Sequence, residues 1–115
     1  WSQLRARGSG QRLLQAMVAE PFLVAGTDRA CTRLMEAASG DAAVKTGAEG
    51  VFCGVDLREG FAFALKVRDG QARAAEVAVE WLLDRLGCVE FAAPQTLKNW
   101  AGTTVGEIRV SPVTN

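Results

Sequence analysis

Apolar and polar positions along this chain switch period several times, and each switch marks an element. Leu13, Leu14, Met17 and Val18 recur at helical spacing, which predicts a helix from a cap at Ser9 or Gly10 to about Ala19. The polar run over residues 1–9 reads as a loop before it. Pro21 stops the helix and holds Glu20 extended; Phe22, Leu23 and Val24 then pack a short connection that Gly26 breaks. Cys31, Leu34, Met35 and Ala38 fall at i, i+3, i+4 and i+7, the face of a second helix. Thr27 is its expected N-cap, with Asp28 in the first turn, Arg29, Arg33 and Glu36 on the outer side, and Ser39-Gly40 as the stop.

The period then drops to two. Ala42, Ala43 and Val44 lead through Lys45 and Thr46 to glycines at 47 and 50, a strand ending in a tight turn. Val51 to Leu57 alternates, with Val51, Cys53, Val55 and Leu57 on one face. Arg58-Glu59-Gly60 is a hairpin loop with glycine where a left-handed residue is wanted. On the returning strand Phe61, Phe63, Leu65 and Val67 share a face; Ala62 and Ala64, on the other, leave room for a helix to approach. Asp69-Gly70 turns the chain into the strongest helix, Gln71 to Leu86, closed by Gly87. Ala75, Ala78, Val79, Leu82, Leu83 and Leu86 make its buried side, and Arg73, Glu76, Glu80 and Asp84 its polar stripe. The like-charged pairs Glu76–Glu80 and Glu80–Asp84 oppose the helix slightly, so packing on a sheet must hold it. Pro94 interrupts the tail, Asn99-Trp100-Ala101-Gly102 is a turn, Val105 to Val110 a last edge strand, and residues 111–115 are expected to be disordered.

Helices before and after a hairpin-rich antiparallel sheet make an α+β fold. Its accounting does not close. Four strands and three helices leave one sheet face without cover, and Phe52 and Val44 need it. The chain also starts at Trp1 rather than methionine. The expectation is that residues 1–115 are one undivided portion of a larger domain.

Composition narrows the partners. Thirteen basic and thirteen acidic residues cancel, which argues against nucleic acid or a membrane surface as partner. No run approaches the roughly 18 apolar residues of a membrane span, and no signal-peptide pattern is seen. The three cysteines, Cys31, Cys53 and Cys88, are widely spaced and histidine is absent. A zinc site built from this chain is therefore not expected, histidine-dependent triads are excluded within it, and buried free thiols in a reducing compartment are the expectation.

The chemistry concentrates at Lys45-Thr46-Gly47-Ala48-Glu49-Gly50. A lysine held by a sheet can bind an anion, move protons or stabilise charge on a reacting oxygen. Each residue has two readings. Lys45 is a cleft lysine or a solvated strand end. The Thr46 hydroxyl contacts substrate, or Thr46 is present for its β-branched shape. Gly47 admits a ligand or another backbone. Glu49 binds a substrate amino group or is a turn carboxylate. Lys66 reads as a snorkelling strand residue, and Glu107 and Arg109 as a surface pair contributing little.

Several segments, in order, resemble the bacterial L-asparaginase II family, the thermolabile Rhizobium-type asparaginases. They are Glu20-Pro21-Phe22-Leu23-Val24-Ala25-Gly26-Thr27, Leu34-Met35-Glu36-Ala37, Lys45 through Phe52, Phe63-Ala64-Leu65-Lys66-Val67, Asp69-Gly70, Ala72-Arg73-Ala74, Asn99-Trp100-Ala101-Gly102 and Val105-Gly106-Glu107-Ile108-Arg109. The resemblance runs from about residue 13 to 110. It implies the three-layer α/β/α fold of serine β-lactamases and penicillin-binding proteins, in which a Lys-Thr-Gly strand lines the cleft. It implies hydrolysis of L-asparagine to L-aspartate and ammonia, with Lys45 catalytic and Thr46, Gly47 and Glu49 at the substrate.

The family's Ser-x-x-Lys pair, and its zinc held by cysteines and a lysine, belong to a part upstream. Here Ser2, Ser9, Ser39 and Ser111 are followed three places on by Arg5, Arg12, Ala42 and Asn115. No cofactor is assigned to this chain. The implied partners are the substrate, the N-terminal half of the same protein and further copies in a cytoplasmic homo-oligomer. The 115 residues alone are expected to be inactive. Alternatives are a non-catalytic interaction or structural remnant, and another amidohydrolase of the penicillin-recognising fold, such as a glutaminase.

Overall fold

The sheet predicted from the alternating segments is an antiparallel meander, seen in a computed structural model that describes residues 8–90 and 94–111. Strand β1 (Ala42–Gly47) pairs with β2 (Val51–Asp56), and β2 with β3 (Phe61–Lys66), in the order β1-β2-β3. Helices α1 (Gly8–Ala19), α2 (Pro21–Ala25) and α3 (Ala30–Ala37) precede it, and α4 (Ala72–Arg85) follows. A separate two-stranded sheet joins β4 (Gln95–Lys98) to β5 (Thr104–Ile108). The protein is an α+β structure of helices and antiparallel sheets. Among the described residues no helix is long and apolar enough to cross a membrane.

Several boundaries depart from the sequence reading. The loop expected over residues 1–9 lies outside the described residues except for Gly8 and Ser9, which belong to α1. Phe22, Leu23 and Val24 are not a connection but helix α2, with Pro21 at its start. Proline suits that position because the N–H it lacks has no partner inside the helix. Thr27 does not cap α3. The cap is the extended Arg29, and the Thr32 hydroxyl instead donates to the Gly26 carbonyl at 2.7 Å, closing the loop. A further strand, Gln95 to Lys98, pairs with the last strand, which is an edge of this separate two-stranded sheet. Of the tail expected to be disordered, residues 112–115 lie outside the described residues.

Register fixes which side chains share a face. Val44, Gly54 and Phe63 form one row, and Thr46, Phe52 and Leu65 the next. Phe52 and Val44, expected to lack cover, are 1% and 0% exposed. They cluster with Cys31, Leu34 and Met35 of α3 and with Ala75, Val79 and Leu83 of α4. The opposite face carries Lys45, Cys53 and Ala64 in one row and Gly47, Val51 and Lys66 in the next. Ala62 and Ala64 were expected to admit a helix, but both are exposed. The helix that contacts β2 and β3 is α4, and it lies on the side of the half-buried Phe63 and Leu65. Ala43 and Val55 at the far end of the open face are buried, and the exposed part of that face runs along Ala62 and Ala64 of β3 to the end that holds Lys45 and Lys66.

Two placements on helix faces also differ from the pattern. Glu80, placed on the polar stripe of α4, is 7% exposed, on a helix that contacts β2, β3 and β5. Leu13, placed on the apolar stripe of α1, is 62% exposed.

The β2–β3 hairpin is clamped by one buried carboxylate. Asp56 Oδ1 accepts from the backbone N–H of Arg58 at 2.9 Å and of Glu59 at 3.2 Å. Arg58 Nη2 donates to Asp56 Oδ2 at 3.3 Å and to the Leu86 carbonyl at 2.8 Å, tying the loop to the end of α4. Burial pushes the Asp56 carboxyl up, but the Arg58 side chain and the two N–H groups outweigh it and leave it below its ordinary value of 3.8. A lowered carboxylate pKa contributes stability above the unfolded value and loses it as pH falls. The thermal midpoint is therefore expected to drop as pH falls below about 4, and Asp56→Asn is expected to flatten that drop. Equal acid slopes in the two proteins would contradict the assignment.

Candidate functional site

The site is built on β1, its turn and the start of β2. Lys45 is exposed on the open face, and its Nζ donates to the neighbouring Thr46 carbonyl at 2.8 Å. Opposite it across the ladder stands Cys53, half-buried rather than fully buried as expected, with its thiol 3.6 Å from the Lys45 carbonyl. None of the three cysteines is in a disulfide.

Thr46 alternates to the packed face. Its hydroxyl donates to the Gly47 carbonyl at 3.4 Å and the Val51 carbonyl at 3.5 Å. Its N–H, on the side of β1 away from β2, donates to Cys31 Sγ at 3.2 Å. A buried thiol thus receives an N–H that edge strand β1 would otherwise leave unpaired. Burial raises the Cys31 pKa, against the smaller lowering effects of that N–H and of Lys45. Cys31 is a neutral thiol at pH 7 and joins α3 to the strand of Lys45.

Gly47 returns to the open face, two residues beyond Lys45. A Cβ there would lie 3.2 Å from the Val51 Cβ, so the close neighbour of this glycine is the facing strand. Glu49 sits exposed in the turn at φ 58°, and Gly50 follows at φ 69°. Of the four residues picked from the sequence, Lys45 and Gly47 share the open face, Glu49 stands in the adjoining turn, and Thr46 lies on the reverse.

Lys66, read as a snorkelling strand residue, is exposed on the same open face as Lys45, and its ammonium donates to the carbonyls of Glu49 and Val67. Pairing Asp56 with Phe61 across Leu57 to Gly60 carries Lys66 opposite Val51, beside the Lys-Thr-Gly row; a loop of Arg58-Glu59-Gly60 alone would shift the register by one residue and turn Lys66 to the other face.

The described face is therefore cationic and otherwise small or apolar. Neither Lys45 nor Lys66 has a carboxylate partner among the described ion pairs, which involve Arg58 and Arg109. The expected Glu107–Arg109 pair is present at 3.4 Å and exposed. An apolar cleft lined by Leu13, Met17, Leu23 and Val24 lies on α1 and α2 and does not include Lys45. Among the described residues no group of three His, Cys, Asp or Glu side chains could hold a metal ion. What this surface offers chemically is an ammonium on a rigid strand, beside a glycine, on a face open to a ligand.

Among known proteins, the model of the family described as L-asparaginase II matches residues 2–113. No curated protein matches the chain.

Proposed function

Because the chain belongs to the L-asparaginase II family, we propose that it forms the Lys-Thr-Gly wall of an enzyme that hydrolyses the side-chain amide of L-asparagine to L-aspartate and ammonia. The observation that carries this reading is the asymmetry of the sheet. One face is packed on α3 and α4, and the other presents Lys45 beside Gly47 with nothing described above it. In the complete protein a second half, with the serine of a Ser-x-x-Lys pair, closes over this face and makes the three-layer α/β/α arrangement.

The chemistry assigned to the chain's own residues is then limited and definite. The serine oxygen attacks the amide carbon, the carbonyl oxygen takes up negative charge, and the C–N bond breaks as the nitrogen gains a proton and leaves as ammonia. Water then releases aspartate from the acyl-enzyme. The Lys45 ammonium stabilises the oxyanion and passes protons; a positive group fixed in advance does this without reorganising. Gly47 lets the substrate lie close to the strand, the Glu49 carboxylate takes the substrate's α-ammonium, and Thr46 holds the strand between Lys45 and Gly47.

The test is ammonia release by full-length protein from L-asparagine and from L-glutamine. Faster release from asparagine is expected. Preference for glutamine would assign a sibling amidohydrolase, and no release from either would assign a binding or structural role.

A further inference from the structure

The Lys-Thr-Gly turn holds one residue, Glu49, in a conformation that a side-chain-bearing residue does not favour. Glu49 and Gly50 are both left-handed, and for a glutamate that region costs free energy that glycine escapes. Gly50 is also sterically confined. A Cβ there would lie 2.2 Å from Val67 Cγ2 and 2.9 Å from the Gly70 carbonyl carbon. Such geometry persists where the surroundings over-determine it.

Here those surroundings come from the end of β3 and the turn after it. The Val67 N–H donates to the Gly50 carbonyl at 3.0 Å, Gly70 packs on the Glu49 backbone, and Lys66 Nζ donates to the Glu49 carbonyl. The same ammonium donates to the Val67 carbonyl at 3.0 Å. Lys66 therefore bridges two carbonyls, one in the Lys-Thr-Gly turn and one just past β3. Charge-assisted bonds of this kind are the stronger class.

We propose that Lys66 is a positioning residue for this turn. It rests on the reading of Glu49 and Gly47 as substrate-contacting groups, and it adds the element that fixes them. The ammonium holds the Glu49 carbonyl, which keeps Glu49 left-handed and so sets where its carboxylate stands relative to Gly47. Lys45 precedes the turn, on a strand fixed independently by β2 and by Cys31. Losing the Lys66 bonds therefore loosens the substrate-binding turn more than it displaces the Lys45 amine.

The test compares Lys66→Met, which keeps the stem and removes the donors, with Lys66→Arg, whose forked donors can again bridge two carbonyls. Both are made in the full-length protein. In Lys66→Met, amide hydrogen exchange over residues 46–51 is expected to quicken about tenfold, with exchange across α4 unchanged. With L-asparagine, KM is expected to rise about fivefold or more while kcat stays within about threefold. Lys66→Arg is expected to restore most of both. Unchanged exchange in Lys66→Met, or quickening spread equally over α4, would overturn the proposal whatever the activity. Absence of ammonia release from the unsubstituted protein would instead overturn the catalytic reading, so the two failures are distinguishable.

Discussion

Lys45→Ala in the full-length protein is expected to lower asparagine turnover by about 10²–10⁴-fold, the usual range for removing a positioned proton-transfer group. The same substitution is expected to leave the fold intact. Lys45 is exposed and its one described side-chain bond is to the next residue's carbonyl, so its stability cost belongs to the surface class, within about 0.5 kcal/mol. The pairing of a large kinetic loss with a negligible stability change is what separates a cleft lysine from a solvated strand end. A solvated strand end predicts near-normal turnover, and steady-state ammonia release with a urea titration distinguishes the two. Lys45→Arg is a further probe, because an arginine keeps the charge but cannot give up its proton. Substantial activity in Lys45→Arg points to oxyanion stabilisation, and its loss points to proton transfer.

Phe52→Ala is the largest stability effect anticipated, about 3–5 kcal/mol of a domain total near 5–15 kcal/mol. Phe52 stands on the central strand at 1% exposure, among the largest fully buried side chains, in the cluster that joins α3, the sheet and α4. Truncation removes the transfer free energy of the ring and leaves a cavity in a core that closes only partly. Phe52→Leu keeps most of the volume and should cost well under half as much. Urea unfolding at constant pH measures both. A Phe52→Ala cost below about 1 kcal/mol would mean that this core is not the one holding the strand of Lys45.

How much of this could be read beforehand depended on which interaction decided each feature. Local ones were legible. The stripe Cys31, Leu34, Met35 and Ala38 is buried as its spacing indicates. The left-handed glycines at 60, 70 and 87 end the elements they were expected to end. The Lys-Thr-Gly turn falls where alternation and glycine placement put it, while the β2–β3 loop is one residue longer than expected, Leu57 to Gly60. What depended on neighbours was not legible. The side of the sheet a helix covers is decided by packing among α3, β2 and α4, so Ala62 and Ala64 were given a helix that lies on the other face. Glu80 looked solvated because a helical wheel does not contain what packs against the helix. Pro21 signalled an end, but a proline equally starts a helix, and it does so here. Gln95 to Lys98 lacks the strong alternation that marks β2; it becomes a strand because β5 pairs with it.

The site divides in the same way. Alternation along β1 puts Lys45 and Gly47 on the open face and Thr46 on the packed one, where its hydroxyl is bonded to backbone carbonyls. Lys66 required the register of two strand pairs, which single-residue scrutiny of a charged strand position does not supply. The resemblance of the Lys-Thr-Gly stretch and of the other segments agrees with the family assignment.

The measurement that bears most directly on the role of the open face is a crystal structure of the full-length protein with its product, L-aspartate, bound. The account predicts aspartate against the β1 strand, with the Lys45 ammonium within hydrogen-bonding reach of it, its α-ammonium towards Glu49, and a serine oxygen on the opposing wall. Aspartate bound elsewhere, with the Lys45 amine in open water and no groove beside it, would contradict the account.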